Sequence, residues 1–341
     1  MTSATAEPAP PTIAAVLVTY ESAADLPGCL ESLAKAAAPP KAREAPTPEA
    51  REAPTPEARE AATPEAGEAA PPEAGEAPHC GVEVVVVDNA SRDDSAEVAR
   101  ALGVKVIENP ANEGYARAVN AGAAATASQW LLVLNPDTRL AAGSLARLLA
   151  TAATDPRIGC LGPDLHNPDG TEYPTGRRFP SLLVGGLHAC LGPVWPGNPA
   201  TRHYHMAEVD RSAPLRVDWV SGACVLLRRD AFDAVGGFDG GYFMYFEDMD
   251  LCLRLARAGW RVVFDPQAEV VHVGGNSTRT APYRKVVNHH RSTLRFYRRR
   301  YARDPRILLA PLVAAFLLLR AAVSLARTAQ TARAAARARP A

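Results

Sequence analysis

The chain has 341 residues, 47% of them hydrophobic, enough to bury one large core or two modest ones. Its 37 basic and 37 acidic residues cancel, so no overall basic excess marks it for nucleic acid. The cysteines Cys29, Cys80, Cys160, Cys190, Cys224 and Cys252 show no paired spacing, which argues against a disulfide framework or a zinc site.

Residues 1–12 are rich in Pro and Ala and lack the basic and apolar regions of a secretory signal. The expectation is a disordered N-terminus on a cytoplasmic chain. A strand is expected from Ile13 to Val18, ending at Thr19, Tyr20 and Glu21, followed by a helix from Ala24 to Ala36. Residues 37–79 then carry an octapeptide repeat, REAPTPEA at Arg43–Ala50 and Arg51–Ala58, with degenerate copies after it. Proline every few residues forbids both helix and ladder, so this segment reads as a disordered, acidic, dispensable insertion. Loop-closure entropy grows only with the logarithm of length, which lets a fold carry it.

The pattern resumes with a strand at Val84–Val87, running into Asp88, Asn89 and Ser91, and a helix over Asp93–Leu102. A short strand, Val104–Ile107, leads to Asn109, Asn112, Glu113 and Gly114, and a small-residue helix covers Tyr115–Ala125. The apolar run Leu131–Leu134 reads as a buried parallel strand that stops at Asn135, Pro136 and Asp137, before a helix over Gly143–Ala153. Alternating strands and helices predict a doubly wound α/β sheet, whose strand carboxyl ends face a ligand crevice. Asp88 and Asp137 then share one rim.

The second half differs in texture. Ile158–Arg178 reads as a hairpin turning at Asn167, Asp169 and Gly170. Ser181–Pro214 lacks periodicity and reads as an irregular binding loop or lid. Val217–Leu227 returns to strand, broken by Gly222. Glu247, Asp248 and Asp250 crowd between an aromatic run and an amphipathic helix; such carboxylates raise one another's pKa and point to chemistry, with helix capping as the alternative. A strand at Arg261–Phe264 precedes His272, and both halves are expected to share one sheet.

From Arg291 onward arginines dominate and Asp304 is the only acid. The apolar run Ile307–Leu319 spans thirteen residues and contains Pro311. That is short of the ~20 a spanning helix needs. With Arg298, Arg299, Arg300 and Arg303 beside it, residues 297–341 read as a basic, amphipathic helical tail lying in a membrane interface. Packing on the domain or on a partner is the alternative.

Seven motifs in order carry a resemblance: VTYES (Val18–Ser22), VVDNAS (Val86–Ser91), NEGYARAVN (Asn112–Asn120), LNPDT (Leu134–Thr138), WVSGACVLLRR (Trp219–Arg229), GGFDGGYFMYFEDMDLCLR (Gly236–Arg254) and VVHVGG (Val270–Gly275). As a set, residues 13–296 without the insertion resemble the family 2 glycosyltransferases of the GT-A fold, closest to a bacterial rhamnosyltransferase-like branch. The resemblance implies a doubly wound mixed sheet with a nucleotide-sugar crevice at the strand carboxyl edge, plus C-terminal helices.

By the same matching, Thr19, Tyr20, Glu21 and Asp88 would hold the base, with Asn89 and Ser91 beside it. Asn112, Gly114 and Arg117 would line the nucleoside and diphosphate path. Asp137 matches the last aspartate of the family's metal motif, and Asn135 stands where many relatives carry aspartate. A Mg²⁺ or Mn²⁺ ion would therefore rest on Asp137 and His272. Asp248 of the Glu247–Asp248 pair would be the general base of an inverting transfer. Trp219, Gly222 and Glu247 would lie by the donor sugar or acceptor, although Trp219 also suits a core.

The implied activity is transfer of a deoxyhexose, L-rhamnose from dTDP-L-rhamnose, to a lipid-linked or cell-wall glycan at the inner face of the plasma membrane. A UDP-sugar-dependent transferase for another surface polysaccharide, or a silent scaffold of the same fold, are the alternatives. A sugar nucleotidyltransferase would need a Gly-rich basic loop after the first strand, and Thr19–Ser22 offers none.

Overall fold

The computed structural model describes residues 12–37, 81–274 and 282–337. The segments expected to be disordered, 1–12 and 37–79, lie outside them apart from Thr12 and Ala37, as does Gly275 of the last motif.

Strand β1 (Ile13–Thr19) is buried along its whole length, and β4 (Trp130–Leu134) likewise. Both are near-continuous apolar runs because helices cover both faces of a parallel sheet. β1 pairs in parallel with β2 (Val82–Asp88) on one side, Thr19 opposite Asp88, and with β4 on the other, Leu17 opposite Leu134. β3 (Lys105–Glu108) extends the β2 edge in parallel. The order β3-β2-β1-β4 makes β1 the switch point, since β2 and β4 diverge to either side of it, and a crevice opens at their carboxyl ends. Alternation along the strands divides the core: Val16, Val85, Leu131 and Val133 face α3 (Tyr115–Ala124), while Leu17, Val86, Leu132 and Leu134 face α1 (Leu26–Ala37) and α4 (Ser144–Ala153). Helix α2 (Ser95–Ala101) packs beside β3.

Beyond β4 the sheet turns mixed. β9 (Cys224–Arg228), followed directly by the short helix α7 (Arg229–Ala234), lies antiparallel between β4 and β6 (Ile158–His166), and β10 (Arg261–His272) runs parallel to β6. The expected hairpin is present as β6 and β7 (Glu172–Tyr173), with Gly170 N donating to the Asn167 carbonyl in the turn. β8 (Leu215–Arg216) adds to β10. The single sheet joining both halves is as expected.

Four details differ from the sequence reading. Ser181–Pro214 is not irregular: α5 (Leu182–Leu191) starts at Ser181, whose Oγ accepts from Val184 N, and α6 (Pro199–Tyr204) starts at Asn198 with Pro199 at its first position. Both are ordinary capping signals that the absence of periodicity concealed. The strand expected over Val217–Leu227 begins only at Cys224, because Gly222 sits in a turn. A three-residue strand, β5 (Thr138–Leu140), is too short to announce itself, yet it pairs antiparallel with the end of β10. Finally, Pro311 does not interrupt the last helix, Ala310–Arg337, but stands second in it, where its missing N–H has no intrahelical partner to lose. With the preceding 3-10 turn, Pro305–Thr331 forms a 27-residue helical span containing an 18-residue window of mean hydropathy 2.3, long and apolar enough to cross a membrane by length and composition. Leu312, Leu318 and Leu319 on it are exposed. A basic helix, Pro282–Arg300, precedes it and packs against it.

Candidate active site

The switch point opens into a cleft of about 480 Å³ with two unlike walls. One is the strand edge. Thr19 Oγ1 donates to Asp88 Oδ1 at 2.9 Å, and Ser91 N donates to Asp88 Oδ2 at 3.0 Å. Thr19 and Asp88 are therefore buried beneath the cleft floor, and they fix the loop above them. Glu21 N in turn donates to Ser91 Oγ, and Glu21 and Ala90 both take positive φ, 53° and 62°. Tyr20, Asn89 and Asn112 do line the cleft. A ring of amides orients them: Asn109 Nδ2 donates to Asn89 Oδ1, and Asn89 Nδ2 to Asn112 Oδ1, each at 3.0 Å.

Gly114 lines the same stretch with φ +88°, and a Cβ there would lie 2.5 Å from the Phe243 carbonyl oxygen, so no other residue fits without displacement. Tyr115 N donates to that carbonyl at 2.8 Å, tying the head of α3 to the opposite wall. Arg117 does not line the cleft; its Nε donates to the Gly240 carbonyl on an exposed turn.

At the end of β4, Thr138 Oγ1 donates to the Asn135 carbonyl at 2.7 Å and closes a tight turn that presents Asp137 to the cleft. The β5–β10 ladder sets Thr138 opposite His272, which brings His272 Nε2 to 3.3 Å from Asp137 Oδ1. The expected metal pair is thus adjacent and lines the cleft. Among the described residues no cluster of three or more His, Cys, Asp or Glu side chains completes a cage. One carboxylate and one imidazole fit a Mg²⁺ or Mn²⁺ that takes its other ligands from water and substrate phosphates, the usual arrangement for Mg²⁺.

The facing wall is built by strain and specific hydrogen bonds. Tyr245 and Phe246 have φ of 69° and 68°, two successive non-glycine residues in the left-handed region, each costing about 1–3 kcal/mol. They turn the chain sharply into α8 (Glu247–Arg257) and set Glu247 and Asp248 against the cleft. Asp248 Oδ2 accepts from Gly222 N at 3.0 Å and Oδ1 from Met249 N at 2.7 Å. A Cβ on Gly222 would stand 3.3 Å from Asp248 Cβ, so the glycine gives the carboxylate its room. The Gly222 carbonyl accepts from Tyr115 OH at 2.9 Å, linking the two walls again.

Burial pushes the Asp248 carboxyl upward, opposed by the two backbone N–H groups and by Arg177. Burial first, and the Asp248 charge second, push Glu247 up to about 8. Glu247 Oε2 is buried with no hydrogen-bond partner among the described residues. The pair therefore holds one negative charge near neutral pH, on Asp248, which has the N–H donors. Asp250 faces away: it is fully buried, 2.7 Å from Arg254 Nε and 3.1 Å from Arg299 Nε, and serves the fold.

Trp219 lines the cleft but is 5% exposed, its Nε1 donating to the Arg178 carbonyl and its face covered by Arg177 at 4.7 Å. Sequence reasoning missed Arg177, Tyr173 and Tyr204, which line this end of the cleft together. No motif contains them: the backbone pairing with Trp219 brings Arg177 to the site, the β6–β7 ladder brings Tyr173, and a bond from Arg178 N to its carbonyl holds Tyr204. His289 and Lys285 also line it, whereas His290 is buried against the Val286 carbonyl.

Comparison with known proteins agrees with this architecture. The model of Glycosyl transferase family 2 matches residues 73–236, and that of Glycosyl transferase family group 2 matches residues 198–332. An N-acetylglucosaminyl-diphospho-decaprenol L-rhamnosyltransferase of Mycobacterium tuberculosis is 44% identical over 234 residues, 65% of this chain and 76% of that protein. The rhamnosyltransferase WbbL of Escherichia coli K12 is 42% identical over 84 residues, 25% of this chain and 32% of its own. A solved mannosyltransferase from Pyrobaculum calidifontis, in complex with GDP-Man and Mn²⁺, superposes with a TM-score of 0.51 at 16% identity, covering 94% of this chain and 75% of that one, a likeness of GT-A fold.

Proposed function

Because the chain belongs to glycosyl transferase family 2, and is a glycosyltransferase, we propose that it moves L-rhamnose from dTDP-L-rhamnose onto a lipid-linked sugar with inversion at C1. The observation that carries the chemistry is the Asp248 carboxylate, fixed by two backbone N–H groups at the cleft wall and flanked by a glycine that leaves space for a sugar. In the proposed reaction Asp248 takes the proton of the acceptor hydroxyl as that oxygen bonds to C1, and the C1–phosphate bond breaks with its electron pair leaving on the nucleoside diphosphate. Tyr20, Asn89 and Asn112 bind the nucleoside, with Thr19, Glu21 and Asp88 holding their loop. The Tyr115–Gly222 bond keeps the base wall registered on the nucleotide wall. Glu247, neutral, is available to donate to a sugar oxygen.

A divalent cation held by Asp137 and His272 would supply positive charge for the departing diphosphate. A lipid-linked acceptor at the inner leaflet is supported by the relative's named substrate and by the exposed apolar helix within a basic tail.

The test is thermal stabilisation by a panel of nucleotide sugars with and without Mn²⁺, followed by product analysis. A donor at 100 times its Kd adds about 2.7 kcal/mol. The expected outcome is a Mn²⁺-dependent shift with dTDP-L-rhamnose and rhamnose on the acceptor. A shift with UDP-sugars alone would replace the donor, and a shift equal without metal would remove the cation.

A further inference from the structure

Arg177 is a charged cleft residue that the proposed reaction leaves unused. It follows the β6–β7 hairpin, is half-buried, and its guanidinium lies 4.7 Å from the ring centre of Trp219, 5.8 Å from Tyr204 and 6.0 Å from Tyr173. Nε donates to the Pro174 carbonyl at 2.7 Å, which aims the rest of the fork, and Arg177 makes no ion pair among the described residues. An aromatic cage stabilises a guanidinium and holds it rigid; beyond its bonds to the Pro174 carbonyl and the Tyr204 hydroxyl, the remaining N–H donors are left for a planar or phosphate oxyanion.

Two further observations indicate which anion. First, Arg177 N donates to the Trp219 carbonyl and Trp219 N to the Arg177 carbonyl, so the guanidinium is anchored three residues ahead of Gly222, whose N–H holds Asp248. It lines the same cleft as Asp248 and its charge opposes the upward push on that carboxyl. Second, the cage leads outward to an apolar surface. Tyr204 stacks on His188 of α5 at 4.8 Å, and α5 exposes Leu183 and Leu187, with Val194 and Trp195 exposed just after it. A charge in the same cleft as the base, bordered by a path to exposed apolar side chains, suits a molecule with a sugar, a phosphate group and a lipid in that order.

We propose that Arg177, held in the Tyr173–Tyr204–Trp219 cage, binds the diphosphate of the lipid-linked acceptor and so selects diphosphate-linked sugars over uncharged glycosides. The proposal rests on the glycosyltransferase reading and names the acceptor group recognised; the donor diphosphate is the other anion that could reach it.

The experiment compares two acceptors carrying the same sugar, one on a lipid diphosphate and one on an uncharged alkyl chain, in wild type, Arg177→Gln and Arg177→Lys, using whichever nucleotide sugar the wild type accepts. A wrong rhamnose assignment would then appear as a different donor for the wild type, without touching the comparison. The expected result is at least a tenfold wild-type preference in kcat/KM for the diphosphate acceptor, lost in Arg177→Gln through a rise in that acceptor's KM and partly retained in Arg177→Lys, with donor KM little changed and the fall on the uncharged acceptor, from the altered field at Asp248, much the smaller of the two. An equal fall on both acceptors would make Arg177 a positioning residue for Asp248. A rise confined to donor KM would give the guanidinium to the donor. Either result overturns the proposal, as does a wild type with no preference. Unchanged thermal stability of Arg177→Gln shows that the cage still folds.

Discussion

The two walls of the cleft solve the same problem by different means. On the strand edge, parallel register does the placing: Thr19 stands opposite Asp88 because β1 and β2 are in step over seven pairs, and a buried ladder specifies register strongly. On the facing wall no ladder reaches Asp248, and its position depends on two left-handed residues, one glycine and two backbone N–H bonds. The first wall is rigid because of what the whole sheet buries. The second is a local construction at a cost in backbone strain, and single substitutions should separate the two.

The largest separation comes from Asp248→Asn. It removes the proposed base and leaves the strand-edge wall untouched, so kcat should fall about 10³-fold, equivalent to about 4 kcal/mol of barrier, while donor affinity measured by calorimetry stays near wild type. Loss of donor affinity with it would mean that the walls are not separable and that Asp248 belongs to the donor site. Next, Asp250→Ala leaves Arg254 and Arg299 without their buried partner behind the same helix. Denaturant unfolding should show a loss of about 3 kcal/mol, the usual cost of breaking a buried pair. An effect as small as that of a surface pair, below about 1 kcal/mol, would show that the head of α8 is held by its caps alone.

The smallest effect sharpens the comparison by pH. Glu247 is pushed up to about 8 in the fold from an ordinary 4.5, so its neutral form is favoured and the stability it contributes is full below 4.5 and lost as pH rises through about 8. Glu247→Gln, which cannot ionise, should match wild type near pH 4.5 and gain on it steadily towards pH 8 in melting temperature. A difference that does not vary with pH would mean that Glu247 is ionised throughout.

Legibility followed the same division. The strand edge was readable because apolar runs ending abruptly at Asp88 and at Asn135–Asp137 are what a parallel sheet with a rim requires. Asp137 and His272 could be named as partners through the resemblance, but the device that joins them, β5, has only three residues and no periodicity to detect. Arg177 was invisible for a deeper reason: its place depends on a bridge to Trp219, forty-two positions away, and pairing at that distance leaves no local trace. Helices α5 and α6 were overlooked although Ser181 and Asn198-Pro199 announced them, since α5 has no buried face to impose a period. The tail is helical as expected, but Pro311 reads as a breaker from its type alone, when at a helix start it favours the helix.

The junction between α1 and β2 has a consequence of another kind. β1 and β2 run towards the cleft, so Ala37 at the end of α1 and Gly81 before β2 stand at the opposite edge of the sheet, with Ala36 and Val82 in the same core layer as Ile13. The chain therefore leaves the described fold at Ala37 and re-enters it at Gly81 on the edge of the sheet opposite the cleft. The same remoteness makes this junction the place to graft a fluorophore or an affinity tag onto a working enzyme.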